Sequence, residues 1–321
     1  MPTSRSNKPN VVITMGDPSG IGPEVTLKAL ASPEISGLAN FLVIGDRFVI
    51  DRTRRRLRIK FNTPLLDLKN VPQANFAYGE SRPAFGMAAM QYLDKAVELL
   101  GSGEADCLVT APVNKSSIRA AGFSGFQGHT EYLAAKTASK EYAMMFVGER
   151  LKVTLVTRHI ALKDVSRSLS TASIYRAIYL THKYLKEYFG IRRPAIAVAG
   201  LNPHAGEKGA FGREESRVIV PAVKRASKAL GGVSGPFPPD AIFHSALTGK
   251  FDAAIALYHD QGLIPFKLLY FSNGVNLTLG LPFIRTSPDH GTAFEIAGKG
   301  VADPSSMTEA VKLACRLSAK A

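Results

Sequence analysis

Cysteine is scarce in this chain. Two occur in 321 residues, Cys107 and Cys315, each in an apolar stretch and neither near a second cysteine. That excludes a disulfide framework and points to a reducing compartment. No window of about 18 apolar residues exists, which excludes a membrane-spanning helix. The polar start Met1–Asn10 has no apolar segment behind it long enough for a secretory signal. A cytoplasmic protein with a short irregular start and no membrane partner is expected. Internal repeats, low-complexity tracts and Gly/Ser linkers are also lacking. Two nucleotide-binding signatures are missing at the first glycine-rich loop, Met15-Gly16-Asp17-Pro18-Ser19-Gly20-Ile21-Gly22-Pro23-Glu24. It does not have the G-x-G-x-x-G spacing, and no Lys-Ser/Thr pair follows as in a P-loop.

What is present suits a large folded core. Hydrophobic residues make up 45% and charged residues 21%, which fits one or two ordered domains. The net charge of +14 raises the question of nucleic acid. The basic residues are dispersed, however, and the densest cluster, Arg52-Thr53-Arg54-Arg55-Arg56-Leu57-Arg58, has no interleaved aromatic platform. It reads as the solvated face of a surface helix that steers anionic substrates, with no nucleic-acid partner.

Apolar strand-like runs alternate with helical ones. The expected strands are Val11–Met15, Phe41–Ile44, Cys107–Thr110, Ala143–Val147, Val153–Val156, Ala195–Ala199 and Ala253–Leu257. The expected helices are Pro23–Leu30, Ala84–Leu100, Thr130–Ala138, Thr171–Tyr188, Glu214–Leu230 and Ser306–Ala319. This alternation predicts an α/β fold with a mostly parallel sheet. Pro23 and Glu24 suit a helix start, and Gly190 suits a helix end. No composition break marks a domain boundary, and two lobes with a cleft are expected.

Three histidines follow strand-like runs: His159, His204 and His259. Strand ends in an α/β sheet are where ligands bind, and three imidazoles brought together there can hold one divalent metal with positions left open. Satisfied polar residues are the alternative. Asp260 is the acid beside His259. Gly128 permits a turn and Thr130 suits a helix N-cap, which directs His129 to solvent or a ligand; an incidental capping role is the alternative. Lys267, Asn276 and Arg285 read as sitting on glycine-rich turns, where they can surround a phosphate or carboxylate, with surface salt bridges as the alternative. The stretch Ser287–Gly300 suits a loop that wraps a cofactor. The first loop suits either a ligand on a helix N-terminus or a tight structural turn.

Taken together, Thr14–Glu24, Gly128-His129-Thr130-Glu131, Gly200–Glu207, Tyr258-His259-Asp260-Gln261-Gly262 and Gly274–Gly300 closely resemble the 4-hydroxythreonine-4-phosphate dehydrogenase family of vitamin B6 biosynthesis. The similarity runs from about Val11 to the C-terminal helix. The stretch Asp289–Ala293 through Ala297–Pro304 also resembles the NAD-binding loop of isocitrate and isopropylmalate dehydrogenases. These resemblances imply a two-domain α/β/α fold, with the active site in the interdomain cleft at a homodimer interface. They imply a first lobe of residues 1–128 with 275–321, containing the cofactor loop 287–304, and a second lobe of 129–274.

The resemblance further implies that His159, His204 and His259 bind a divalent metal, zinc first, with cobalt or magnesium as alternatives. It implies substrate contacts from His129, Thr130, Lys267, Asn276 and Arg285, and NAD or NADP contacts from Asp289, His290, Gly291, Thr292 and Ala293. Asp260 and His129 are the expected proton-moving groups, with Lys115 a weaker choice. The implied reaction oxidises 4-phosphooxy-L-threonine to 2-amino-3-oxo-4-phosphooxybutanoate, which decarboxylates to 3-amino-2-oxopropyl phosphate on the way to pyridoxine 5'-phosphate. Two alternatives stand beside it: a paralogous D-threonate or D-erythronate 4-phosphate dehydrogenase, and a metal-dependent hydrolase or lyase with no redox role.

Overall fold

β-Branched and apolar runs form strands, and amphipathic runs form helices, throughout the computed structural model, which describes residues 8–319. Residues 1–7 of the expected irregular start lie outside the described residues, and Asn10 already opens a strand. In chain order the first elements are β1 (Asn10–Thr14), α1 (Gly22–Ala31), β2 (Asn40–Gly45), α2 (Arg47–Leu57), β3 (Leu65–Asp67), α3 (Pro83–Gly101), β4 (Cys107–Thr110), α4 (Lys115–Ala120) and α5 (His129–Lys136). Next come β5 (Ala143–Val147), β6 (Lys152–Leu155), α6 (Val165–Ser168), α7 (Thr171–Glu187), β7 (Ile196–Ala199), α8 (Val220–Leu230), β8 (Val233–Phe237), α9 (Pro239–Leu247), β9 (Ala253–Ala256), α10 (His259–Tyr270) and β10 (Val275–Leu279). The chain closes with β11 (Ile284–Pro288) and α11 (Ser305–Ser318).

Two compact units result. The first runs to Ser139 and resumes at Leu281; the second is Lys140–Gly280. The division falls after Ser139 rather than after 128, so His129 and Thr130 belong to the first unit. It returns at 281 rather than 275, so Asn276 belongs to the second.

The strands of the first unit run β3-β2-β1-β4-β11, all parallel. β4 and β11 are buried along their whole length, as is β1 after its first residue. Continuous burial means that both sheet faces are covered, as in a parallel α/β layer. Thr286 in β11 donates its hydroxyl to the Ala310 carbonyl of α11 at 2.8 Å, joining sheet and helix.

The second unit orders its strands β10-β5-β6-β9-β7-β8. β5 is antiparallel to both β10 and β6, and the remaining pairs are parallel. Alternation along the strands builds two cores. Ile196, Val198 and Ile255 pack with α7 and α8, while Ala197, Ala199, Ala254 and Ala256 pack with α9 and α10. The small alanine face lets α10 come close. A Cβ added at Gly262 would stand 2.9 Å from the Ala256 Cβ and 2.8 Å from side-chain atoms of Val153 and Leu155.

Several elements depart from the sequence reading. The helix expected from Glu214 begins as a π-turn, Glu215–Ile219, before α8. Pro221 has no N–H to donate, and a widened turn accommodates it. β8 contains Gly235 and Pro236 and lies at the edge of its sheet, where a missing donor is tolerated. α10 forms despite Pro265 in its interior, because the burial of Leu263, Phe266 and Tyr270 outweighs local propensity. No helix among the described residues is long and apolar enough to cross a membrane.

Candidate active site

The three singled-out histidines all follow the C-terminal ends of neighbouring parallel strands. β6, β9 and β7 lie side by side, and His159, His259 and His204 come after them in that order. Backbone bonds tie the first two segments together. The Val156 N–H donates to the Ala256 carbonyl at 2.9 Å, and the Thr157 N–H and hydroxyl both donate to the Leu257 carbonyl, at 3.1 and 2.7 Å.

The His159 and His259 rings stand 6.0 Å apart between centres. Two imidazoles on one cation stand roughly 5–6 Å apart, given metal–nitrogen distances of about 2 Å. The Nδ1 atom of His259 lies 2.7 Å from Asp260 Oδ1, which leaves Nε2 for a ligand bond, the usual carboxylate–histidine–metal order. His259 is the first residue of α10 rather than a strand terminus. His204 sits elsewhere on this edge, its ring 6.2 Å from that of Phe211. Among the described residues of the single chain, no three His, Cys, Asp or Glu side chains gather at metal-binding spacing. The donor chemistry therefore fits a divalent cation through a histidine pair, and one chain does not complete the expected set of three.

The backbone around His204 is unusual. His204, Ala205, Gly206, Glu207 and Lys208 all have left-handed backbone angles, with φ between 40° and 80°. Four of the five carry a Cβ, for which this region costs about 1–2 kcal/mol per residue. Glu215, buried at the π-turn, accepts the Leu201 and Asn202 N–H groups at 2.9 and 2.8 Å and the Asn202 amide at 3.1 Å. Gln261 accepts the Leu257 N–H at 2.7 Å and donates to the Gly200 carbonyl at 2.7 Å. Neither Glu215 nor Gln261 was marked by spacing or composition. Only the position of Gln261 inside the Tyr258–Gly262 motif hints at its importance.

The expected substrate residues occupy regular elements rather than glycine-rich turns. Lys267 is on α10, Asn276 on β10 and Arg285 on β11. Arg285 is 2% exposed, which overturns its reading as a surface salt bridge. Its Nε and Nη2 donate to Thr110 Oγ1 at 3.1 and 2.5 Å. Burial pushes the guanidinium down to about 9 against the opposing charge of Glu131, so it stays cationic at neutral pH. α5 starts at His129 with Gly128 at the N-cap, so Thr130 lies inside the first turn and is not the cap. His129 is partly exposed as a residue, but its Nε2 is covered and has no hydrogen-bond partner among the described residues. Burial, then the charges of Arg285 and Lys115, hold the imidazole well below its usual range. It is therefore neutral at physiological pH. Asn276 likewise has a covered Oδ1 with no partner among the described residues. His129 lies in the first unit and Asn276 in the second, and an orphaned buried polar atom at either one suits a polar group of a ligand.

Asp289–Ala293 follow β11 and lie against the first loop. The Ile21 N–H donates to the Thr292 carbonyl at 3.0 Å. Lys28 donates to the carbonyls of Gly300 and Ala302, at 2.9 and 2.7 Å, and Glu24 accepts the N–H groups of the same two residues. Asp289 is fixed through its N–H to Ser306, and His290 Nδ1 lies 3.1 Å from the Gly291 carbonyl. Gly291 is exposed, and a Cβ there would meet nothing within 4 Å. The first loop itself fits the tight-turn reading: a Cβ on Gly16 or Gly22 would come within 2.3 Å of a backbone carbonyl oxygen.

Asp17 in that loop is fully buried and accepts the Ser19 N–H at 2.9 Å. Burial pushes its carboxyl up to about 6, against the lowering effect of Ser19. Below about pH 4 the group is protonated in both folded and unfolded chains. From there to about pH 6 only the folded chain keeps the proton, so stability falls as pH rises through this window. Asp17→Asn is expected to stabilise the fold at pH 7 by on the order of 2 kcal/mol, and by nothing at pH 4. Denaturant unfolding at the two pH values measures this; equal effects at both would rule it out.

Comparison with known proteins bears on the whole chain. Residues 37–314 match the family described as Pyridoxal phosphate biosynthetic protein PdxA. A 4-hydroxythreonine-4-phosphate dehydrogenase of Desulforapulum autotrophicum is 46% identical, over 96% of this chain and 95% of that protein. A D-threonate 4-phosphate dehydrogenase of Salmonella typhimurium is 44% identical, over 96% and 98%. The crystal structure of a 4-hydroxythreonine-4-phosphate dehydrogenase from Klebsiella pneumoniae superimposes with a TM-score of 0.89 at 38% identity, covering 98% of this chain and 99% of that one.

Proposed function

The chain belongs to the PdxA family, and from that membership and the geometry of its histidine edge we propose that it is a metal-dependent NAD oxidoreductase acting on 4-phosphooxy-L-threonine. The product, 2-amino-3-oxo-4-phosphooxybutanoate, then loses CO2 to give 3-amino-2-oxopropyl phosphate for pyridoxine 5'-phosphate synthesis. The observation that carries this reading is the His159–His259 pair at 6.0 Å, with Asp260 on the far nitrogen of His259.

A divalent cation, zinc before cobalt or magnesium, would be held by His159, His204 and His259, and supplies Lewis acidity that lowers the pKa of a bound hydroxyl. A nicotinamide dinucleotide supplies the hydride acceptor and would lie along Asp289, His290, Gly291, Thr292 and Ala293. Asp260 fixes the ring of His259. Arg285 and Lys267 offer positive charge to the substrate phosphate, and Asn276, Thr130 and His129 offer hydrogen bonds. Remote binding of the phosphate by these cations orients the secondary alcohol for reaction. Asp260 and His129 are the two candidates for taking the proton of that alcohol; Asp260 is engaged with His259, and the burial that keeps His129 neutral also opposes its protonation.

A homodimer completes this reading. α10 turns Leu263, Phe266 and Tyr270 inward, yet Ile264, Leu268 and Phe271 are 68%, 85% and 81% exposed. A helix apolar on both faces is normally covered on both. The same edge exposes Ile160 and Leu162 beside His159 and Phe211 beside His204. A second copy on this face would bring further histidines to the pair found in one chain.

The Salmonella relative supports a second reading, in which the substrate is D-threonate 4-phosphate. A panel of phosphorylated four-carbon acids, assayed with NAD+ and NADP+ by nicotinamide absorbance, separates the two. We expect turnover with NAD+ to be greatest on 4-phosphooxy-L-threonine, and reduced cofactor to be absent without substrate. A preference for D-threonate 4-phosphate moves the chain to the second reading. No cofactor reduction with any member of the panel would sink both.

A further inference from the structure

We propose that Gln261 is a positioning residue, which locks the loop bearing His204 to the helix start bearing His259 and thereby sets the spacing of the metal-binding histidines. The inference rests on the metal reading above and deepens it. Gln261 is 8% exposed and two residues from His259. Its side-chain oxygen accepts the Leu257 N–H, just before α10, and its side-chain nitrogen donates to the Gly200 carbonyl, just after β7. Both bonds are 2.7 Å long. An uncharged amide satisfies a backbone donor and a backbone acceptor at once. A carboxylate would face the Gly200 carbonyl with a second oxygen, and an apolar side chain would leave both backbone groups unpaired.

The segment so held needs holding. Gly200 leads into the left-handed turn His204–Lys208, whose conformation L side chains resist. Three further contacts define this turn. A Cβ on Gly200 would come within 2.8 Å of the Ala205 Cα, and one on Gly206 within 2.5 Å of Glu215 Oε2. Glu215 in turn carries the Leu201 and Asn202 N–H groups. Glu215 thus fixes the shape of the turn, and Gln261 fixes where it stands relative to β9 and α10. With the Thr157–Leu257 bonds on the other side of β9, each histidine-bearing segment is tied to its neighbour in the sheet.

The test uses the full chain, loaded with Zn2+ or Co2+. Gln261→Glu keeps the acceptor for Leu257 and removes the donor for Gly200. Metal affinity, measured by competition with a chromophoric chelator, is expected to fall roughly 10- to 100-fold. The visible bands of the Co2+ protein should shift, while circular dichroism and oligomeric state stay as in the unmodified protein. Unchanged affinity and an unchanged Co2+ spectrum in the folded variant overturn the proposal. Should Gln261→Glu fail to fold, Gln261→Met removes both bonds, to Leu257 and to Gly200, at similar side-chain length and without an added charge. The same loss of metal supports the proposal, and undiminished binding overturns it. Failure of the underlying metal reading looks different, because His259→Ala would then also bind metal as tightly as the unmodified protein.

Discussion

Replacing His259 with alanine is expected to remove bound divalent metal and to lower turnover by roughly a hundredfold or more. The estimate follows from the several kcal/mol that a Lewis acid contributes at a developing alkoxide, at about 1.4 kcal/mol per factor of ten. The fold should survive. His259 is partly exposed and its ring pairs with the exposed Asp260, and surface substitutions of this kind shift stability by about 0.5 kcal/mol. Metal content by mass spectrometry, steady-state turnover and a thermal melt form the measurement. Full turnover in a metal-depleted variant would remove the metal from the mechanism. Loss of the fold instead would show that His259 has a structural role which its exposure does not suggest.

The double substitution Leu268→Asp and Phe271→Asp is expected to convert a dimer to monomers and to abolish most activity. Leu268 is exposed on the helix that begins with His259 and carries Lys267, and Phe271 is exposed at its C-cap. Two carboxylates there would have to be desolvated on association, a penalty of several kcal/mol each if they were buried unpaired. Neither residue belongs to the inner face formed by Leu263, Phe266 and Tyr270, so the monomer should melt much as before. Sedimentation and activity, followed together across protein concentration, give the answer. A variant that stays dimeric would place the interface elsewhere, and an active monomer would show that one copy suffices.

Much of this fold was legible because strands and helices announce themselves locally. Cys107–Thr110 and Ala143–Val147 are strands with the bounds expected of them, and the α3, α7 and α11 helices fall within a residue or two of their apolar pattern. β10, β11 and α10 were not anticipated. The first two contain Asn, Arg, Thr and Ser where a buried strand usually carries Val or Ile, and α10 contains Gly262 and Pro265. Tertiary contacts decide them: β10 pairs with β5, α11 packs on β11, and the Val153, Leu155 and Ala256 side chains lie against Gly262. Thr130 suited a helix cap by residue type, yet Gly128 took that place and His129 became the first helical residue.

The candidate site divides in the same way. The identity of its residues was readable: histidines after apolar strands, an acid beside one of them, and cations in the last third of the chain. Their surroundings were not. Burial of Arg285 on Thr110, the covered nitrogen of His129, the left-handed turn under His204 and the Gln261 bridge all join residues distant in sequence. The sequence by itself determined which chemistry the chain carries and the alternation that builds an α/β fold, because hydrophobic periodicity and side-chain type are local properties. Only the tertiary structure decided which groups are desolvated, which are paired and which histidines meet, because those follow from close approach between segments that the chain order keeps apart.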